Sequence, residues 1–119
     1  MVNPQTVEKL METAKAIGYG KIPPYQHSEC FTIGAFDLIL INTADKGAAF
    51  TLLQAVCNNY ATVKNDDKFL KGYVYLLSQL ARATDTTQLP EGMTRIIRDN
   101  PTQTNELQEW YRLKGHAAT

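Results

Sequence analysis

Only four side chains in this sequence could supply thiol or imidazole chemistry. His27, Cys30, Cys57 and His116 are all of the histidines and cysteines among the 119 residues. A zinc site needs such ligands to converge, usually with a Cys-x-x-Cys pair, and here only His27 and Cys30 are closely spaced. We therefore expect neither a metal nor a cofactor.

The same close pair could act as a nucleophile, with His27 as the base for the Cys30 thiol. No third residue that would orient the imidazole can be identified from the sequence. Because two cysteines form no disulfide framework, reduced and packed thiols at Cys30 and Cys57 are the simpler interpretation. The sequence predicts a protein that is not an enzyme, and a small thiol enzyme remains an alternative.

Residues 90–114 read as helix, turn, helix, which is the order of a DNA-binding module. The N-terminal end of the second helix would carry Thr104, Asn105 and Glu106, followed by Glu109, and these carboxylates would repel phosphates. Four basic side chains could compensate, namely Arg95, Arg98, Arg112 and Lys114. Over the whole chain, 12 basic residues balance 12 acidic ones, so no net field attracts nucleic acid or an anionic membrane. We keep a nucleic-acid-binding regulator as an alternative but do not expect nucleic acid to be the partner.

The clearest helical periodicity in the chain lies at residues 65–82. Its apolar side chains fall within an arc of about 160° on a helical wheel; they are Phe69, Leu70, Tyr73, Val74, Leu76, Leu77, Leu80 and Ala81. Asn65 is predicted to be the N-cap, followed by two aspartates in the first turn, where the helix dipole favours negative charge. A face this wide must pack on two sides, so this helix is predicted to be central.

Other segments with helical periodicity surround this helix. Residues 45–63 predict a mostly buried helix, and the short step to residue 66 makes helices 45–63 and 66–82 an antiparallel hairpin with Leu53 and Leu77 in its core. Further helices are predicted from Pro4 to a left-handed stop at Gly18, after Pro90, and over about 103–114. The predicted fold is all-α, a compact bundle of five to six helices forming one domain over residues 1–119.

Two segments lack a clear helical signal. Residues 19–29 contain Gly20, Pro23 and Pro24 and are predicted to be an irregular loop. Residues 30–43 are almost continuously apolar, so a buried strand and a buried helix both fit. We favour the helix, because no second strand is evident and a lone strand leaves its backbone hydrogen bonds unsatisfied.

Aromatic residues outside the predicted core point to surface recognition. Tyr75 shares the polar side of the central helix with two basic residues. Near the chain end, two aromatic residues are followed directly by an arginine at positions 110–112. The residues predicted to contact a partner are Tyr75, Lys71, Arg82, Tyr25, Trp110, Tyr111 and Arg112. For Trp110, docking of the last helix onto its own core is the competing interpretation.

These observations predict a small helical protein that binds another macromolecule, as an adaptor, a regulatory subunit or an inhibitor of a larger complex. The partner is predicted to be a protein, and a homodimer is expected because two-fold pairing uses one patch twice. The first ten residues do not resemble a secretory signal, and the longest apolar run, residues 38–41, is far short of a membrane span. We therefore expect a cytoplasmic protein without membrane contact.

Overall fold

Six helices and one β-hairpin make up the part of the chain that the computed structural model describes, residues 4–22, 25–28, 31–34 and 46–112. The helices are α1 Pro4–Gly18, α2 Lys46–Cys57, α3 Tyr60–Val63, α4 Asp67–Thr84, α5 Met93–Asp99 and α6 Asn105–Trp110, and the strands are β1 Tyr25–Ser28 and β2 Phe31–Gly34. The helical bundle predicted from the sequence is confirmed.

Helix α4 is the centre of the bundle, as its periodicity predicts. It contacts α1, α2, α3 and α6, and both Leu77 on α4 and Leu53 on α2 are fully buried. The predicted N-cap is wrong by one residue: the Asp66 carboxylate accepts a hydrogen bond from the Phe69 N–H at 3.1 Å. An extended backbone at Asp66 directs its side chain back to the first turn, which is what an N-cap requires.

Helices α1 and α4 cross with their backbones in direct contact. A β-carbon at Gly72 would lie 1.8 Å from the Ala14 carbonyl oxygen, and one at Gly18 would lie 1.8 Å from the Lys68 carbonyl oxygen. Helix α1 ends at Gly18 as predicted, but the left-handed residue is Gly20, with φ 74°. Gly18 is therefore required for this close approach, and the role of left-handed stop predicted for it is wrong.

The first half of the predicted helix hairpin is divided into two helices. A turn at Asn58 and Asn59 separates α2 from α3; the Asn59 N–H bonds the Val56 carbonyl, and its side-chain amide donates to the Ala55 carbonyl at 2.9 Å. Asparagine side chains compete in this way for backbone groups, and so interrupt helices. The second half of the predicted hairpin, α4, remains one helix and is joined to α3 by a tight turn.

A two-stranded β-hairpin replaces part of the helix favoured for residues 30–43. Strand β2 pairs antiparallel with β1, with Tyr25 opposite Gly34 and Ser28 opposite Phe31. The helix prediction is therefore wrong at Phe31–Gly34, and the irregular loop predicted for 19–29 is wrong at Tyr25–Ser28. The pairing strand comes from the adjacent segment, so the ladder is satisfied locally. Residues 35–43 lie outside the described residues.

Candidate functional site

A groove beside Tyr75 is the concave surface that best matches the predicted partner contacts. Helix α4 supplies its floor, the end of α1 supplies one wall, and the turn before α6 supplies the other. Its described lining residues are Ile17, Lys71, Val74, Tyr75, Ser78, Thr102, Gln103, Asn105 and Glu106, around a volume of about 280 Å³. We call this surface the Tyr75 groove.

Tyr75 is half-buried in this groove rather than fully open on the polar side of α4. Its ring packs against the hydrophobic core, as do the half-buried Ile17 and the buried Val74. The surface position predicted for Tyr75 is thus correct for only part of the ring, because the rest packs against the core. Periodicity places a side chain on one face of its helix but does not show which distant segment lies against that face.

The charges around the groove are unequal. Lys71 is exposed and forms no ion pair with any described residue, whereas Glu106 on the opposite wall bonds Arg82 at 2.9 Å. Arg82 was predicted to contact a partner, and in this structure its guanidinium links α4 to α6. With side-chain exposures of 52% and 64%, this pair adds little stability but neutralises the carboxylate. The groove therefore presents one uncompensated positive charge.

The wall opposite α1 is fixed by hydrogen bonds, although it is a turn. Thr104 is fully buried and its hydroxyl donates to the Asn100 carbonyl at 2.7 Å. The Gln108 amide donates to the Pro101 carbonyl at 2.7 Å and to the Thr104 hydroxyl at 3.1 Å. These bonds hold the turn in one conformation, which leaves Gln103 and Asn105 exposed at the rim. No sequence motif indicated this wall, because two of its bonds join residues four apart, which is also the spacing within an ordinary helix.

The aromatic segment at the end of α6 divides into a core part and a surface part. Tyr111 is only 6% exposed and packs in the hydrophobic core. Trp110 is half-buried against that core, and its indole N–H donates to the Thr86 carbonyl at 3.0 Å. The exposed patch predicted at 110–112 is therefore wrong for Tyr111, and Trp110 docks the helix onto its own core. Arg112 is exposed, with φ 57°.

The thiol and imidazole groups do not assemble a reactive site among the described residues. Cys57 is buried, and this burial raises the pKa of its thiol to about 12, so it remains protonated and unreactive near neutral pH. His27 lies in β1, where only the backbone is described, while Cys30 and His116 lie outside the described residues. The described side chains contain no group of three or more metal ligands. The side chain of Tyr25, also in β1, is likewise outside the description.

The segment considered for nucleic acid forms two short helices, α5 and α6, joined by a turn. Helix α6 has six residues and ends at Trp110, so it stops short of the predicted 103–114, of which residues 113 and 114 lie outside the described part. Thr104, at the start of α6, is buried, and Glu106 is already bonded to Arg82. A recognition helix places its first residues against base edges, and here those positions support the groove wall.

No known protein family, curated protein or solved structure matches this chain. Within the described residues, no helix combines the length and the apolar character needed to cross a membrane. The groove is therefore the feature of this molecule that bears on its function.

Proposed function

We propose that this chain is a non-catalytic helical protein that acts by binding another protein in the Tyr75 groove. The observation that carries the proposal is the combination, in one concavity, of a half-buried aromatic ring with a lysine that forms no ion pair within the described part of the chain. Aromatic side chains bring large contact area and lose little rotamer entropy, and a polar rim shields such a centre from water. Adaptors, regulatory subunits and inhibitors of larger complexes all act through surfaces of this kind.

Two further parts of the proposal concern assembly and location. The partner is either a second copy of the chain or a larger target, and the homodimer expected from the sequence is one form of it. A cytoplasmic location is supported by Cys57, a free thiol buried in the core, since reducing compartments keep such thiols unpaired.

The test compares two groove variants with two matched controls. Tyr75→Ala removes the ring and Lys71→Glu reverses the charge; Leu89→Ala and Lys9→Glu make the same kinds of change at exposed positions outside the groove. Each variant is first checked for parental helix content by circular dichroism. Each is then used as bait, with captured proteins quantified by mass spectrometry and molar mass measured by light scattering.

We expect at least one captured protein, or the dimer mass, to be lost with both groove variants and kept with both controls. Identical captured proteins and identical mass in all five chains would contradict the proposal. The exposed Lys71 keeps the test decisive if Tyr75→Ala proves too unstable to use, because reversing a surface charge leaves the core intact.

A further inference from the structure

The Tyr75 groove is small and has an apolar floor, which suits an apolar side chain projecting from a peptide. Its volume of about 280 Å³ is slightly below the roughly 300–1,000 Å³ of sites that enclose a whole small molecule. The floor is formed by Val74, which belongs to the core, and by the ring of Tyr75, and Ile17 forms the wall beside them; Tyr75 and Ile17 both pack against the core. An apolar side chain projecting from a peptide would cover the floor and exclude water from it.

The charge at the rim indicates what should stand next to that side chain. Lys71 has no ionic partner among the described residues, and the nearby carboxylate of Glu106 is neutralised by Arg82. A carboxylate on the incoming segment would therefore meet an attractive potential, and an ammonium or guanidinium would meet a repulsive one. On the opposite rim, the exposed Gln103 side chain makes no hydrogen bond with a described residue, so its amide is available to a peptide backbone.

The shape and charge of the groove argue against a dimer whose two-fold axis passes through it. A two-fold dimer brings the same patch of both subunits together. With the axis through the groove, the two concavities would face each other with their floors unfilled, and the two Lys71 ammonium groups would approach each other. Both effects are unfavourable, whereas a different protein can bring a projecting side chain and a negative charge.

Building on the proposed function, we infer that the Tyr75 groove receives a segment of a different protein that carries an apolar side chain beside a carboxylate. The apolar side chain fills the floor next to Tyr75, and the carboxylate lies against Lys71. The partner is thus a peptide segment with one apolar and one acidic side chain, recognised by the Tyr75 ring and the Lys71 ammonium group.

The test uses capped hexapeptides in which a central leucine, phenylalanine or tryptophan is followed by glutamate, glutamine or lysine. Each peptide is titrated into the isotope-labelled full chain while backbone amide shifts are followed by NMR. We expect shifts at Lys71, Tyr75 and residues 102–106, and affinities about two- to five-fold higher for glutamate than for glutamine peptides, the range that a surface ion pair supplies. Lysine peptides should bind most weakly.

Charge reversal provides the decisive comparison. Lys71→Glu should invert the order, so that lysine peptides bind more tightly than glutamate peptides, and Lys9→Glu should keep the parental order. Groove shifts without a charge preference, or a preference that survives Lys71→Glu, would overturn the inference about the partner but leave the groove as a docking site. No groove shift with any peptide would also overturn it, and the proposed function would then be judged by the capture experiment. A dimer mass that Tyr75→Ala lowers, without peptide binding, would assign the groove to a second copy instead.

Discussion

Substitution of Gly72 by alanine should destabilise this protein, although alanine is the better helix former. The added methyl carbon would lie 1.8 Å from the Ala14 carbonyl oxygen, 2.7 Å from its carbonyl carbon and 3.0 Å from the Gly18 nitrogen. Even close carbon–oxygen contacts in proteins are separated by about 3.3 Å or more. Helix α1 would have to move by about 1.5 Å, and no flexible side chain can absorb the change, because all three atoms belong to the backbone.

Two opposing terms set the size of the effect. Overpacking usually costs about 1–3 kcal/mol, and contact with a neighbouring backbone places Gly72→Ala near the upper limit, at about 3 kcal/mol. Alanine in place of glycine within a helix recovers about 1 kcal/mol. The free energy of unfolding should therefore fall by about 2 kcal/mol. Fully buried Leu10 and Ala14 belong to the α1 surface that this shift would loosen.

Urea denaturation followed by circular dichroism measures this change. With a slope of about 2 kcal/mol per molar urea for a chain of this size, the midpoint should fall by about 1 M. The neighbouring exposed position supplies the control, since the difference between Lys71→Ala and Lys71→Gly gives the propensity term alone. A midpoint for Gly72→Ala equal to or above that of the parent would refute the direct backbone contact between α1 and α4.

Three further predictions test the core and two titrating groups. Leu53→Ala and Leu77→Ala should each lower the free energy of unfolding by about 2–5 kcal/mol, because both leucines are fully buried; parental urea midpoints would contradict this. The hydroxyl of Tyr19, which donates to the Asp66 carboxylate at 2.6 Å, is the main cause that holds the pKa of Asp66 below 3.8. The stabilisation by Asp66 should be present above pH 3.8 and disappear as the pH falls through the lower folded-state pKa. The free energies of unfolding of the parent and of Asp66→Asn should therefore converge in acid. A difference between them that stays constant with pH would exclude this linkage. Burial raises the pKa of Cys57 from 9.0 to about 12. Between these pH values the unfolded thiol loses a proton that the folded one keeps, so the free energy of unfolding should fall as the pH rises. If the free energy of unfolding of Cys57→Ala falls with pH as steeply as that of the parent, another group is responsible.

The central part of the fold could be predicted because it depends on local periodicity. The apolar positions of 65–82 form one face whatever packs against it, and Leu77 is buried as that pattern requires. The low helix propensity of Asn58 and Asn59 agrees with the break between α2 and α3, and Gly72 is a further signal in the sequence. A glycine within a strong helix costs about 1 kcal/mol relative to alanine, which indicates a close approach by another backbone.

The parts that sequence reasoning missed depend on pairing between segments. The hairpin was overlooked because Pro23 and Pro24 suggested an irregular loop, yet β1 begins at Tyr25, directly after them. The second wall of the groove is a turn whose shape depends on the buried Thr104 hydroxyl and on the bond from Arg82 to Glu106. The Arg82–Glu106 contact joins two separate helices, and the Thr104 bond lies in the turn between α5 and α6, so the sequence could indicate the aromatic ring of the site but not its enclosure.

The glycine contact and the groove are parts of one arrangement. Gly18 and Gly72 allow the end of α1 to touch α4, and Ile17, adjacent to Gly18, forms the groove wall on that side. A side chain at either glycine would push this wall away from Tyr75, widen the floor and expose it to water. Glycine at these two positions lowers the helix propensity but allows the close contact that keeps the groove narrow. This would explain why α4, which bears the proposed binding site, contains a glycine in its interior.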